Sequence, residues 1–370
     1  MKFTTTRSDL LPNLLHVYGA IGRSTLPILD CILLEIDESG CLRLTATDLE
    51  IQITARSPIQ PELPGAVAAP AQKLTAIVRL LPSGAEIAIE QAGEKLTVRS
   101  GRIRYSLATM PAEAFPAFDR GEARYRLDLP ASTLLTAIQK TRFAMARSDV
   151  RFYLNGLAMQ IEPGTLRTVA SDGHRLALCE LPVESRDITT PIVIAPAKGV
   201  DELARLLRDD LKAMPDRVVQ LGIGDNSYTV GIGNVECSSK LIEGLFPDYN
   251  RVLSLDEVLT CRAPRAELMA ALQRVVLLAG SHFGVAMDIG GESIAMTCAN
   301  ENGEQAEDSI TVTGLTGASL RQGYSAQYLL DALGVFDGEE VVLGIAGNGS
   351  CLLEESDSDR WRCVVMPVRL

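Results

Sequence analysis

The sequence predicts an α+β protein made of three similar domains. Three observations carry that prediction. Four kinds of segment recur three times in one order, the helical segments keep apolar residues at i, i+3, i+4 and i+7, and the runs between them alternate apolar and polar. The period is about 120–135 residues, which is domain-sized, so each repeat can bury its own core and need not stack as a solenoid.

The first recurring segment is an amphipathic helix behind a short strand: SDLLPNLLHVYGA, ASTLLTAIQKTRFA and RAELMAALQRVVLLA, in which Leu10, Leu134 and Leu268 align. The second is another helix, APAQKLTAIVRLLP, APAKGVDELARLLR and YSAQYLLDALGVF, with Pro70, Pro196 and Ser325 in register. Proline's fixed φ suits a helix start. The third is strand, polar turn, strand: LTATDLEIQI, RTVASDGHRLAL and AMTCANENGEQA. The fourth closes each repeat: YSLATMPAEAFPAF, CSSKLIEGLFPDY and RCVVMPVRL. The runs CLRLTATDLEIQITA, KLTVRSGRIRYSLA, SYTVGIGNVECSSKL and EEVVLGIAGNGSCLLEE alternate with period two, the mark of antiparallel strands with one buried face. Each repeat therefore reads as two helices on antiparallel sheet. The predicted domains are 1–123, 124–255 and 256–370, divided at the polar stretches GEARY and LSLDEV.

Composition bounds the function. Hydrophobic residues make up 46% of the 370, enough for a packed core. No apolar run reaches the ~18 residues of a membrane span, and MKFTTTRSDLL has no signal-peptide core, so a soluble cytoplasmic protein is expected. The eight cysteines form no C-x-x-C pair and sit in apolar or alternating stretches, as reduced, buried thiols do. His16, His174 and His282 are isolated, so neither a metal nor a cofactor is expected. A net charge of −12 argues against tight binding to nucleic acid by phosphate neutralisation.

Several stretches invite a functional reading. SDGHRL places Asp172, His174 and Arg175 within six positions. It could be a general base with its orienting carboxylate, a turn in which Asp172 satisfies backbone donors, or a recognition surface. The matching stretches ATDLEI and CANENG lack the histidine, and no G-x-S-x-G nucleophile stands out, so catalysis is disfavoured. GIAGNGS lacks the G-K-[ST] of a phosphate loop and reads as a hairpin turn, and Trp361 reads as a strand residue. The tail CVVMPVRL reads either as a last strand tucked into the core, which suits Cys363 and Val365, or as an adaptable contact surface formed by Met366, Pro367, Val368 and Leu370.

TLPIL, TDLE, SGRIRYSL, RFYLNGL, SDGHRLAL, SKLIEGLFPDYNRVL and VVMPVRL, in that order from end to end, resemble the bacterial DNA polymerase III beta subunit, the sliding clamp. The resemblance implies a head-to-tail homodimer ring of six DNA-clamp domains, with helices lining a hole around double-stranded DNA held without regard to sequence. It implies no catalysis, a processivity role, and partners including a clamp loader, the polymerase III catalytic subunit, and other polymerases and repair proteins that present short linear motifs. A clamp-like scaffold that never encircles DNA is the alternative.

The resemblance also implies sites. The partner-peptide pocket would comprise Leu154, Ser171, Gly173, His174, Arg175, Leu176, Pro247, Arg251, Val252, Phe283, Tyr328, Ser350, Val364, Val365, Met366, Pro367, Val368 and Arg369. DNA contacts would be Arg23, Phe152, Tyr153 and Lys198. The ring joint would set Tyr105 and Leu107 against Leu277 and Leu278, and Lys73, Arg102 and Arg104 against Glu301, Glu304 and Glu307. Ser148, Ser325, Asn348 and Val368 depart from the family pattern. The six helical segments sum to +5, which leaves −17 on the rest of the chain, a split that supports the basic hole and acidic exterior implied by the resemblance and that other proteins also show.

Overall fold

The computed structural model describes residues 1–22, 24–36, 40–254, 256–279, 284–356 and 358–369. Its contacts fall into two compact units: residues 1–134 with 198–241, and residues 135–197 with 242–370. Each unit holds one nine-stranded antiparallel sheet, one smaller antiparallel sheet and helices packed on them.

In the first unit the large sheet runs Met110–Pro111, Gly65–Pro70, Cys31–Ile36, Leu42–Thr47, Ile51–Ser57, Val235–Lys240, Ser227–Ile232, Val218–Ile223, Tyr125–Pro130. The five-stranded sheet ends on Ile103–Ala108, one edge of which is unpaired among the described residues. Helix Arg7–Tyr18 starts where the Thr6 hydroxyl accepts the Asp9 amide, and it buries Leu10, Leu14 and Val17 on one face. Alternation along the strands does the rest. Leu42, Leu44, Ile53 and Ala55 are fully buried on the helix-packed face, while Arg43, Thr45, Thr54 and Arg56 point the other way.

In the second unit the large sheet runs Val193–Pro196, Gly156–Glu162, Thr165–Ser171, Arg175–Pro182, Ser358–Val365, Cys351–Glu355, Glu340–Ala346, Glu257–Pro264, Thr313–Gly317. The four-stranded sheet ends on Gln305–Thr311, also an open edge. Helices Arg265–Val275 and Ala326–Leu333 pack on it, the second capped by the Ser325 hydroxyl. Trp361 is a buried strand residue, edge-on to Phe336 at 4.1 Å, and its indole N–H donates to the Lys140 carbonyl at 2.6 Å.

Both large sheets join strands that the repeat assigns to different copies. Ile51–Ser57 pairs with Val235–Lys240, and Arg175–Pro182 pairs with Ser358–Val365. The six long helices fall where the periodicity predicts them. Pro70 and Pro196 stand one place earlier than a first helical residue: Pro70 is the cap of Ala71–Leu80, and Pro196 ends a strand before Ala197–Ala213. Gly344–Ser350 closes the hairpin between Glu340–Ala346 and Cys351–Glu355. Among the described residues no helix is long and apolar enough to cross a membrane.

Candidate functional site

The SDGHRL stretch is the tip of the hairpin formed by Thr165–Ser171 and Arg175–Pro182. Asp172 Oδ1 accepts the amides of His174 and Arg175 at 2.9 and 3.0 Å, and the Ser171 hydroxyl accepts the Gly173 amide and donates to the Arg175 carbonyl. Gly173 sits at φ +86°, where an L side chain is strained. The carboxylate that a catalytic His174 would need as its orienting partner is thus spent on the turn.

Arg175 is equally committed. Its guanidinium donates to Asp172 at 3.0 Å, to Asp331 at 2.5 Å and to the Phe143 carbonyl at 2.6 Å, and lies 4.4 Å over the Tyr328 ring. Arg151 is tied to Asp149 and donates to the Asp172 carbonyl at 3.0 Å. Hydrogen bonds from the Arg151 side chain, then its backbone N–H, pull the Asp149 carboxyl down to about 2. The turn also anchors the tail, the Met366 amide donating to the His174 carbonyl at 2.8 Å, and strand Leu320–Ser325 holds it further on, the Val368 amide donating to the Gly323 carbonyl at 2.9 Å.

Behind this turn lies a cleft of about 200 Å³. Its floor is a buried apolar cluster that includes Val169, Leu176, Leu178, Tyr249, Leu352 and Val364, with Phe246 and Val252 packed against it. Such a shape suits an apolar side chain of a peptide, with a few polar groups at the rim to set its direction. Leu154, Ser171, Gly173, Arg175, Leu176, Pro247, Val252, Val364 and Met366 all line it. His174, Tyr328, Val368 and Arg369 line a separate, shallower depression of about 980 Å³.

Four named positions stand outside both. Val365 is fully buried on the opposite face of its strand, with Cys351 and Cys363, because neighbouring strand residues alternate sides. Ser350 is buried beneath the tail, its hydroxyl 3.3 Å from the Met366 sulfur. Arg251 is exposed and paired with Asp248 at 3.3 Å. Pro367 lies over the Gly349 turn, where a Cβ on Gly349 would be 3.3 Å from it. Phe283 and Arg23 lie outside the described residues. The cleft also takes residues that the sequence reading left out of it: Arg151, Tyr153, Phe246, Asp248 and Tyr249. The aromatics of GLFPDY beside a proline were the available signal.

Phe152 is exposed and packs edge-on against Tyr153 at 5.8 Å. Lys198 is bound to Asp48 and to the Ala20 carbonyl. Lys140, counted among the helical cations, is buried in an ion-pair network, so the free positive charge on the helices is smaller than the formal sum. On the first unit's open strand Arg104 and Tyr105 are exposed while Leu107 turns into the core; Arg102 is exposed just before it, and Lys73 is exposed on helix Ala71–Leu80. On the second unit Glu307 is exposed on the open strand, Glu301 and Glu304 in the turn before it, Leu277 is 80% exposed, and Leu278 is half-buried.

Comparison with known proteins accounts for the whole chain. Residues 1–119, 128–248 and 252–369 match the N-terminal, central and C-terminal domains of the DNA polymerase III beta subunit. The beta sliding clamp of Escherichia coli K12 is 40% identical, and that of Vibrio cholerae 37%, with each chain covered in full. The crystal structure of the beta subunit from Pseudomonas aeruginosa superposes with a TM-score of 0.94 at 36% identity over the full length of both chains. The sliding clamp from Bartonella birtlesii, solved with griselimycin bound, also gives 0.94, at 31% identity and full coverage. The chain, an α+β protein of three similar domains, belongs to the DNA polymerase III beta subunit family, the beta sliding clamps.

Proposed function

We propose that this protein is a polymerase processivity factor: a non-catalytic, soluble cytoplasmic clamp that closes head to tail with a second copy around duplex DNA. The observation that carries the ring is a pair of open sheet edges of opposite character. Ile103–Ala108 presents an unpaired edge with Arg102 and Arg104, and Gln305–Thr311 presents another with Glu301, Glu304 and Glu307 around it. Unpaired edges invite strand pairing, and opposite charges set its direction. Tyr105 and Leu277 supply apolar contact at the same joint, and two such joints close a ring. Domains 1–123, 124–255 and 256–370 then give six around the circle.

A closed ring holds DNA by topology, so it needs only weak, screened attraction to slide, and a net charge of −12 is no obstacle. Phe152, Tyr153 and Lys198 are the proposed DNA contacts. The cleft behind the SDGHRL turn is the proposed dock for the short linear motifs of the polymerase catalytic subunit, the clamp loader and other partners. Relatives from Pseudomonas aeruginosa and Bartonella birtlesii have been solved with griselimycin bound, which supports a ligand-holding site in this family.

The test is retention on DNA. The protein is loaded onto nicked circles by a clamp loader, separated by gel filtration, and the circles are then cut. Retention on circles with loss from linear ends is expected. Equal retention on both would mean ordinary binding, and no retention with a loader proven on another clamp would favour the scaffold that does not encircle DNA.

A further inference from the structure

The two large sheets repeat one another residue for residue at their central joints. Gln52 faces Ser238 as Leu176 faces Val364, and Thr45 faces Thr54 as Val169 faces Leu178. FPAF at 115–118 stands where FPDY stands at 246–249. The partner cleft of the second unit therefore has a counterpart on the first, over the sheet face opposite the one that helix Arg7–Tyr18 covers.

The counterpart is built differently. Where the second unit has Val169, Leu176, Leu178, Leu352 and Val364, the first has Thr45, Gln52, Thr54, Thr229 and Ser238. In the second unit, helix Asn250–Leu253 follows the FPDY stretch and packs Val252 and Leu253 onto the face. No helix follows Phe118, and the cavity stays open at about 590 Å³. The Arg120–Glu236 ion pair lines both this cavity and a second depression of about 210 Å³ beside it.

The charges are unbalanced there. Arg43 and Arg56 face each other directly across two strands, and Glu35 on the next strand takes Arg43 at 3.2 Å. Like charges in that position are unfavourable. In the second unit the corresponding partner of Arg167 is Glu180, bonded at 2.6 Å. Arg56 is exposed and has no carboxylate partner among the described residues, and the same is true of Arg126, which lines the second depression. The two cavities together carry four arginines against Glu35 and Glu236, a local excess of cations on a chain of net −12. Arg56 and Arg126 stand four strands apart and four residues out of register along them, on the order of 23 Å, which about seven extended residues span.

We propose that this groove is a second peptide-binding site, for an extended acidic segment of a partner protein. One carboxylate meets Arg56, another about six residues on meets Arg126, and an apolar side chain beside the first packs on Phe115 and Phe118. The proposal does not depend on ring closure or on the partner cleft.

Fluorescence anisotropy on the full chain tests it, with a labelled, end-blocked heptapeptide Glu-Leu-Ser-Thr-Ser-Thr-Glu at low salt. Saturable binding is expected, weakened about tenfold by Arg56→Glu and by Arg126→Glu, and unchanged by removal of residues 367–370. Arg56→Glu sets a carboxylate opposite Arg43, as Glu180 stands opposite Arg167, so its melting temperature should not fall. If it does, Arg126→Glu, on another strand, carries the same test. Absence of saturable binding, indifference to charge reversal, or loss on removing 367–370 would each overturn the proposal, the last by placing the peptide in the other cleft.

Discussion

Lys140→Ala should destabilise the second unit by about 2–4 kcal/mol. The Lys140 side chain is only 10% exposed. Its ammonium donates to the Val335 carbonyl at 2.5 Å and to Glu355 at 3.1 Å, and it also meets Asp337 at 2.8 Å. Its own carbonyl receives the Trp361 indole. The three contacts are unequal. Asp337 is 86% exposed, so its pair is worth about 0–1 kcal/mol. Glu355 is 19% exposed, and removing its cation leaves a largely buried carboxylate short of a partner, together with a bare carbonyl. A fully buried broken pair costs about 3–5 kcal/mol, and the residual exposure of Glu355 lowers that to the range given. Lys140→Met keeps the stem that packs beside Trp361 and should recover only a minor part. Urea unfolding followed by tryptophan fluorescence reads the site directly, because Trp361 is the sole tryptophan. Asp337→Ala should move the midpoint little, and Glu355→Ala should approach Lys140→Ala. A loss below about 1 kcal/mol for Lys140→Ala, or an equal loss for Asp337→Ala, would refute this ranking.

Removing residues 367–370 should abolish binding of polymerase-derived peptide while light scattering still gives a dimer; normal peptide binding would remove the tail from the partner site. Gly173→Ala should cost about 1–2 kcal/mol by thermal unfolding, since φ is +86° and a Cβ would stand 2.5 Å from the Arg151 guanidinium. The same change should weaken peptide binding by displacing Arg151 from the cleft rim, and unaltered affinity would exclude that role. The Asp149 carboxyl should titrate in the folded protein at about 2, against an ordinary 3.8. Because its folded value is depressed, the stabilisation is fully present above the ordinary value and is lost as pH falls through the folded one. Asp149→Asn should flatten the acid-unfolding curve across that window, and a carboxyl NMR midpoint at the ordinary value would show the Arg151 pair to be open in solution.

The hairpin tip was legible residue by residue. Asp172 in a turn, Gly173 at positive φ and strands on either side all follow from local rules, because a turn's hydrogen bonds run between near neighbours. The tail was legible in part. Val364 and Val365 both read as apolar, yet one floors the cleft and the other faces Cys351, since which face a strand turns to the cleft depends on the partner it pairs with. Lys140 entered the helical charge sum like any other cation and is a buried tie, because the groups that bury it come from residues 335–361.

Helix positions, strand alternation, the threefold repeat and the turn chemistry are properties of short windows of chain, and the amino-acid sequence alone determined them. The sheet that crosses from one repeat to the next, the cleft built where Thr165–Pro182 meets Ser358–Val365, and the unmatched Arg56 opposite Arg43 were decided only in three dimensions. Period-two alternation specifies that a strand has a buried face, but a strand edge can hydrogen-bond to any other edge, and only the packed fold selects which one.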